Sequence, residues 1–149
     1  MILLSRRSLL AVAAVVDIAI HARPAPVAAK ALAARHKLPP RHLETLLQTL
    51  VRANVLKGVR GPKGGYELAR ERRRISVGEI VRAALNDPAE DEKLGGKSVL
   101  VDTIVAPLVE KASSELIALL DSTTVEDLCR DAEAKTVFAT KPADADFTI

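Results

Sequence analysis

Leu43, Leu46, Leu47, Leu50 and Val51 recur at i, i+3, i+4, i+7 and i+8, a spacing that only an α-helix turns into one continuous apolar stripe. Pro40 suits the first turn of that helix, where its missing N–H costs nothing. The pattern stops at about Ala53, and two short strand-like runs follow, residues 55–60 and 66–69. Between them stands Gly61-Pro62-Lys63-Gly64-Gly65, a turn sequence, so the pair reads as a β-hairpin. An amphipathic helix running directly into a hairpin is a strong constraint, because both must bury one face in a shared core.

The rest of the chain reads as helices. Leu9, Val12, Ala13, Val16 and Ile20 give a first helical stripe, closed by the prolines at 24 and 26. Residues 27–36 form a second helix, Ala-rich, with Val27, Ala31 and Ala34 on one face. Ser76-x-x-Glu79 is a capping box opening a helix to about Leu85. Residues 86–97 are acidic and contain glycine, so they read as a loop. A long apolar-periodic helix spans 98–120, which Pro107 should kink or break. Thr123-x-x-Glu126 caps a last helix to about Ala134, and 135–149 read as a flexible tail.

This gives a mainly α fold with a small β-hairpin wing. Residues 1–85 make a winged helix-turn-helix domain, 86–97 a loop, and 98–134 a dimerisation helix followed by a C-terminal helix. At 149 residues one conventional core is feasible. With no Trp, one Tyr and two Phe, that core must be aliphatic.

Charge divides the chain. Residues 1–75 carry 15 Lys/Arg against four Asp/Glu, a surplus of +11, while residues 76–149 carry a balance of −8. A basic half of this density is an electrostatic footprint for nucleic acid or an anionic surface. The single cysteine excludes an intrachain disulfide framework and suits a reducing compartment.

The first 29 residues resemble an export leader, with Arg6-Arg7 before an apolar run. Asp17 inside that run argues against it, as a charge there opposes membrane insertion. The run is also too short and interrupted to span a bilayer.

A helix-turn-helix followed by a basic hairpin is built for DNA. The major groove admits one helix, and side chains on its polar face must hydrogen-bond base edges. Arg41, Glu44, Thr45 and Gln48 are residue types that do so, and they lie opposite the leucines. Lys57, Arg60 and Lys63 of the hairpin supply cations to phosphates or to the minor groove.

The wording of the hairpin is more specific. Leu50-x-x-Ala53-Asn54-Val55-Leu56, then Val59-Arg60-Gly61-Pro62-Lys63-Gly64-Gly65-Tyr66-x-Leu68-Ala69-Arg70, then Ile75-Ser76-Val77-Gly78-Glu79-Ile80-Val81, resemble the IscR/NsrR/CymR (Rrf-two) family of bacterial winged-helix regulators. Asp17 and the segment 119–128 also match that pattern, so the resemblance runs from about residue 3 to 134. It implies a homodimeric, cytoplasmic transcription regulator, most often a repressor, whose long helix crosses between protomers. By position it assigns base reading to Arg41, Glu44 and Arg60. Arg41 departs from the small hydroxyl residue familiar there, which bears on the operator sequence.

Iron–sulfur members of the family place three cysteines between the fifth helix and the long helix. Here residues 86–97 contain none, and Asp and Glu are poor ligands for soft iron sites. We therefore expect no cluster and no other cofactor or metal.

Other residues admit two readings. Cys129 is either a candidate redox residue or a small buried apolar one. His21, His36 and His42 are not spaced as a ligand set and read as solvated or loop residues, although His42 is within reach of phosphate. Arg72-Arg73-Arg74 either extends a DNA footprint or forms a solvated edge, and the same holds for Arg6 and Arg7. Val101, Val105, Leu108, Ala112, Leu116 and Leu119 serve either an intrachain core or a dimer interface, and we assign them to the interface.

The resulting expectation is a sequence-specific regulator that binds double-stranded DNA as a homodimer on a pseudo-palindromic operator, without membrane attachment. The alternative is an interaction or adaptor protein of the same fold that docks a protein partner. An enzyme has no support, since no nucleophile–base pair or phosphate-binding strand–helix loop is present.

Overall fold

The computed structural model describes residues 5–85 and 98–138. Helix α1 (Arg6–His21) runs through the middle of the fold and packs against the second, third, fourth and last helices and the hairpin's second strand. It starts cleanly because the Ser5 hydroxyl accepts the Ser8 N–H at 3.2 Å. Ala11, Ala14, Val15 and Ile18 are buried, and the two alanines let neighbouring backbones come close.

Helix α2 (Ala29–His36) begins later than the sequence pattern suggests. Val27 lies outside it, exchanging backbone hydrogen bonds with Tyr66 at 2.9 and 2.8 Å. Pro24 and Pro26 hold the chain away from helical geometry there, and the hairpin edge claims the Val27 backbone. As a consequence α2 turns Leu32 and Ala33 inward, whereas Ala31 and Ala34 are exposed.

Helix α3 (Pro40–Arg52) follows the expected pattern, with Pro40 in its first turn and Leu43, Leu46, Leu47 and Leu50 buried. Val51 departs from it and is 36% exposed, at the rim of the stripe. The helix ends in a left-handed cap. Asn54 has φ +61°, its N–H reaches the Val51 carbonyl, and the Val55 N–H reaches Leu50.

The cap delivers the chain into β1 (Leu56–Val59), which pairs antiparallel with β2 (Gly65–Leu68) in the register Leu56↔Leu68 and Gly58↔Tyr66. In the connecting turn Gly61 sits at φ +114°, a conformation open to glycine. Gly65 serves a different purpose: a Cβ there would strike the Val27 carbonyl, so only glycine lets the hairpin bond to that segment.

A 3₁₀ turn (Arg72–Arg74) leads to α4 (Val77–Leu85). The expected capping box opens α4: Glu79 accepts the Ser76 N–H at 2.9 Å, and the Ser76 hydroxyl accepts the Glu79 N–H at 3.1 Å. Residues 86–97, expected to be a loop, lie outside the described residues, as do 139–149 of the expected tail.

Pro107 interrupts the long helix by altering the turn before it. Val101–Val105 form a π-helical turn, and regular α-helix α5 runs from Ala106 to Asp121 with Pro107 in its first turn. Proline has no N–H for the carbonyl four residues back, so the preceding turn widens. Helix α6 (Val125–Ala134) is capped one residue later than expected. Thr124 and Asp127, not Thr123 and Glu126, form its capping box. The frame shifts because Thr123 is engaged elsewhere, its carbonyl accepting the Val77 N–H at 2.8 Å. Among the described residues no helix is long and apolar enough to cross a membrane.

Candidate nucleic-acid interface

Burying four leucines of α3 fixes what the opposite face presents. Arg41, His42, Glu44, Thr45, Gln48 and Arg52 are all exposed. Their aliphatic neighbours hold the helix in place, so these polar groups project from a rigid element. The Thr45 hydroxyl donates to the Arg41 carbonyl at 3.2 Å, which leaves its lone pairs open to a partner.

The start of α1 approaches this face. Arg7 Nη2 donates to the Thr49 hydroxyl at 3.3 Å, joining the first turn of α1 to α3. Arg6, Arg7, Arg41, His42 and Thr45 border one cleft of about 660 Å³ with Leu10 and Leu38 in its walls. Two arginines whose role the sequence left open are thereby gathered beside the helix expected to read bases.

In the hairpin, Arg60 and Lys63 are exposed at the turn and have no ion-pair partner among the described residues. Lys57 differs. Its Nζ lies 3.1 Å from Glu67 Oε1 across the strand pair, so part of its charge is already compensated. Arg60 and Lys63 are therefore the stronger anion-seeking groups of the wing.

Two supporting groups were not evident from the sequence. Arg70 donates to the Asn54 carbonyl at 3.2 Å, to the Arg74 carbonyl at 3.2 Å and to Glu79 Oε1 at 3.0 Å. One side chain thus fastens the end of α3, the 3₁₀ turn and the start of α4. Burial pushes the Glu79 carboxyl up, but bonds from Ser76 and Arg70 reverse this and hold its pKa below the ordinary value.

The second is buried Asp17, whose side chain is fully removed from solvent. Arg35 donates to both its oxygens, His36 Nε2 lies 2.8 Å from Oδ2, and His21 Nδ1 lies 3.0 Å from Oδ1. Burial raises the Asp17 pKa, and the bonds from Arg35 and His36 together with the charges of Arg35 and His21 outweigh it. The net shift is downward, and the carboxylate is charged. His21 and His36 are therefore not the solvated residues expected: His21 meets Asp17 one turn away on α1, whereas His36 reaches it only once α2 docks on α1. His42 does remain exposed.

Cys129 is buried on α6. Burial pushes its thiol pKa up, and the neighbouring Arg72 opposes this without reversing it. Along α5 and the π turn, Val105, Leu108, Ala112 and Leu119 are exposed, as are Ile104 and Val109, which the sequence reading left out. Leu116 is half-buried, and Val101 falls outside the described side chains.

Residues 4–131 match the protein-family model Rrf2, described as an iron-dependent transcriptional regulator. The chain belongs to the Rrf2 family. The HTH-type transcriptional regulator IscR of Photobacterium profundum is 32% identical over 124 residues, covering 81% of this chain and 72% of that protein. Among solved structures, IscR of T. potens superposes with a TM-score of 0.68 at 34% identity, covering 89% of each chain. CymR, the global cysteine regulator of B. subtilis, gives 0.64 at 27% identity, covering 87% of this chain and 98% of its own. The mainly helical fold with its two-stranded wing is that of these winged-helix proteins.

This Rrf2 chain is accordingly a DNA-binding transcriptional regulator and not an enzyme. No group of three or more His, Cys, Asp or Glu among the described residues is arranged to hold a metal.

Proposed function

We propose that this Rrf2 protein is a cytoplasmic repressor that binds a pseudo-palindromic operator as a homodimer and carries no iron–sulfur cluster. The observation that carries this reading is the division of α3 into a buried leucine face and an exposed face of Arg41, Glu44, Thr45 and Gln48, beside a wing with exposed Arg60 and Lys63. Such a helix enters the major groove and reads base edges, while the wing cations meet phosphates or the flanking minor groove. Arg6 and Arg7, beside α3, add phosphate contacts that set the register.

Dimerisation follows from the apolar side chains of α5. Leu108 and Leu119 are 67% and 71% exposed, an arrangement that a second copy of the same helix relieves. Two recognition helices then face half-sites about one helical turn apart, roughly 34–36 Å. The absence of cysteine from residues 86–97 supports a regulator that works without a cluster.

The test is fluorescence anisotropy of the protein on its own upstream intergenic DNA against a scrambled duplex, across a salt series. Preference for the native duplex that survives near-physiological salt is the expected result. Equal, steeply salt-dependent affinity for both, followed by failure to enrich any sequence from random DNA, overturns the reading.

A further inference from the structure

A cleft of about 960 Å³ lies where the end of α1, the exit of β2 and the 3₁₀ turn meet, on elements other than the base-reading face of α3. Its borders carry five arginines, Arg23, Arg70, Arg72, Arg73 and Arg74, against Glu67, Glu71 and Glu126, which leaves a surplus of two positive charges. Three of the arginines are committed: Arg70 to Glu79 at 3.0 Å, Arg72 to Glu126 at 2.6 Å and Arg73 to Glu71 at 2.6 Å. Glu67 is held by Lys57. The side chains of Arg23 and Arg74 have no ion-pair partner among the described residues, and both are exposed on this cleft.

Apolar wall is present as well, from the half-buried Ala22 and Leu68. The C-terminal end of α1 contributes roughly half a negative charge through its dipole, which opposes an anion but is smaller than the arginine surplus. Guanidinium groups on a concave surface favour planar or tetrahedral oxyanions, which they bind through paired N–H donors.

The geometry points to a binding site for a small polyanion, bearing carboxylate or phosphate groups on a compact body, with Arg23 and Arg74 as its unpaired anchors. The site is placed to regulate. Arg70 Nη1 donates to the carbonyl of Arg74, and the same guanidinium holds Asn54 at the end of α3 and Glu79 at the start of α4. An anion drawn onto Arg74 therefore acts on the junction that seats the recognition helix. This coupling rests on the DNA-binding reading above; the binding site does not.

The experiment is isothermal titration of the full chain with citrate and, separately, with inorganic pyrophosphate at constant ionic strength, comparing the wild type with the double variant Arg23→Gln/Arg74→Gln. The expected result is saturable binding of at least one anion, one site per chain, weakened tenfold or more in the double variant. The arm that binds identifies the carboxylate or the phosphate chemistry. Thermal midpoint and DNA affinity without anion should be unchanged in the variant, and adding the anion should shift wild-type DNA affinity by fivefold or more.

Absence of saturable binding by either anion, or equal binding by the double variant, overturns the site. So does a variant that loses DNA affinity with a shallower salt dependence, because the two arginines would then be phosphate contacts to DNA. Anion binding without any change in DNA affinity retains the site and overturns its regulatory role.

Discussion

Arg35 grips Asp17 through two nitrogens, Nη2 at 2.6 Å from Oδ1 and Nε at 2.9 Å from Oδ2, and so bolts α2 onto α1. The pair matters because the carboxylate is fully buried while the guanidinium is one-third exposed. Removing the charge leaves Arg35 and two histidines facing a neutral amide, which accepts through one oxygen and turns an NH2 donor towards the other donors. Asp17→Asn is expected to destabilise the fold by about 2–4 kcal/mol. Differential scanning calorimetry should register a fall in Tm on the order of 10 °C. A fall of a degree or less would mean that apolar packing alone seats α2.

The same group sets an acid limit. The folded pKa of Asp17 lies below its ordinary value of 3.8, so the unfolded chain takes up the proton first as pH falls. Its stabilisation is fully present above the unfolded value and is lost as pH drops through the folded one. The stability gap between wild type and Asp17→Asn should therefore close only below about pH 4. Urea denaturation at a series of pH values measures it. A gap that stays unchanged down to about pH 2 would mean that the Asp17 charge does not carry the effect.

The two wing cations should fail differently when removed. Arg60→Ala is expected to cost about 1–3 kcal/mol of operator affinity and to relax preference at one base position. Lys63→Ala should weaken all sequences alike and reduce the salt slope by about one. Selection from a randomised operator with each variant separates these outcomes. Uniform weakening by Arg60→Ala would reassign it to a phosphate contact.

Leu108 should matter to assembly and little to the protomer. At 67% exposed it contributes little within its own chain, and burying a leucine side chain against a partner is worth about 1.5–3 kcal/mol. Leu108→Asp is thus expected to raise the dimer dissociation constant at least tenfold, since it adds two buried charges across a symmetric interface. Sedimentation velocity reads this, and an unchanged far-ultraviolet circular dichroism spectrum confirms that the fold survives. An unaltered sedimentation coefficient would move the interface elsewhere.

Cys129 should be chemically quiet. It is buried, and its thiol is held above the ordinary range. Labelling by a thiol-reactive disulfide reagent should proceed only through unfolding, so its rate should rise steeply with urea. Rapid labelling of the native protein would restore the redox reading.

The α3 stripe and the hairpin were legible because their signals are local. Leucines at helical spacing, Pro40 at the helix start and a Gly/Pro turn act through residues within a few positions of each other, and no distant contact has to override them. Local signals erred where a distant partner intervened. Val27 was drawn from α2 by the Tyr66 backbone, and the Thr123 carbonyl was claimed by Val77, which shifted the α6 cap by one residue.

The polar groups around the interface lay further from reach. Arg7 and Thr49 are 42 residues apart, Asp17 and Arg35 18, and Arg70 and Asn54 16. By itself the sequence determined the exposed polar face of α3, the wing and the family, since these rest on periodicity and on a short string of residues. The tertiary structure alone decided which charges are spent within the fold and which are left for a ligand. Every ion pair spanning two elements depends on how those elements dock, and docking is set by the collective burial of aliphatic side chains, with the charged residues carried along on their backs.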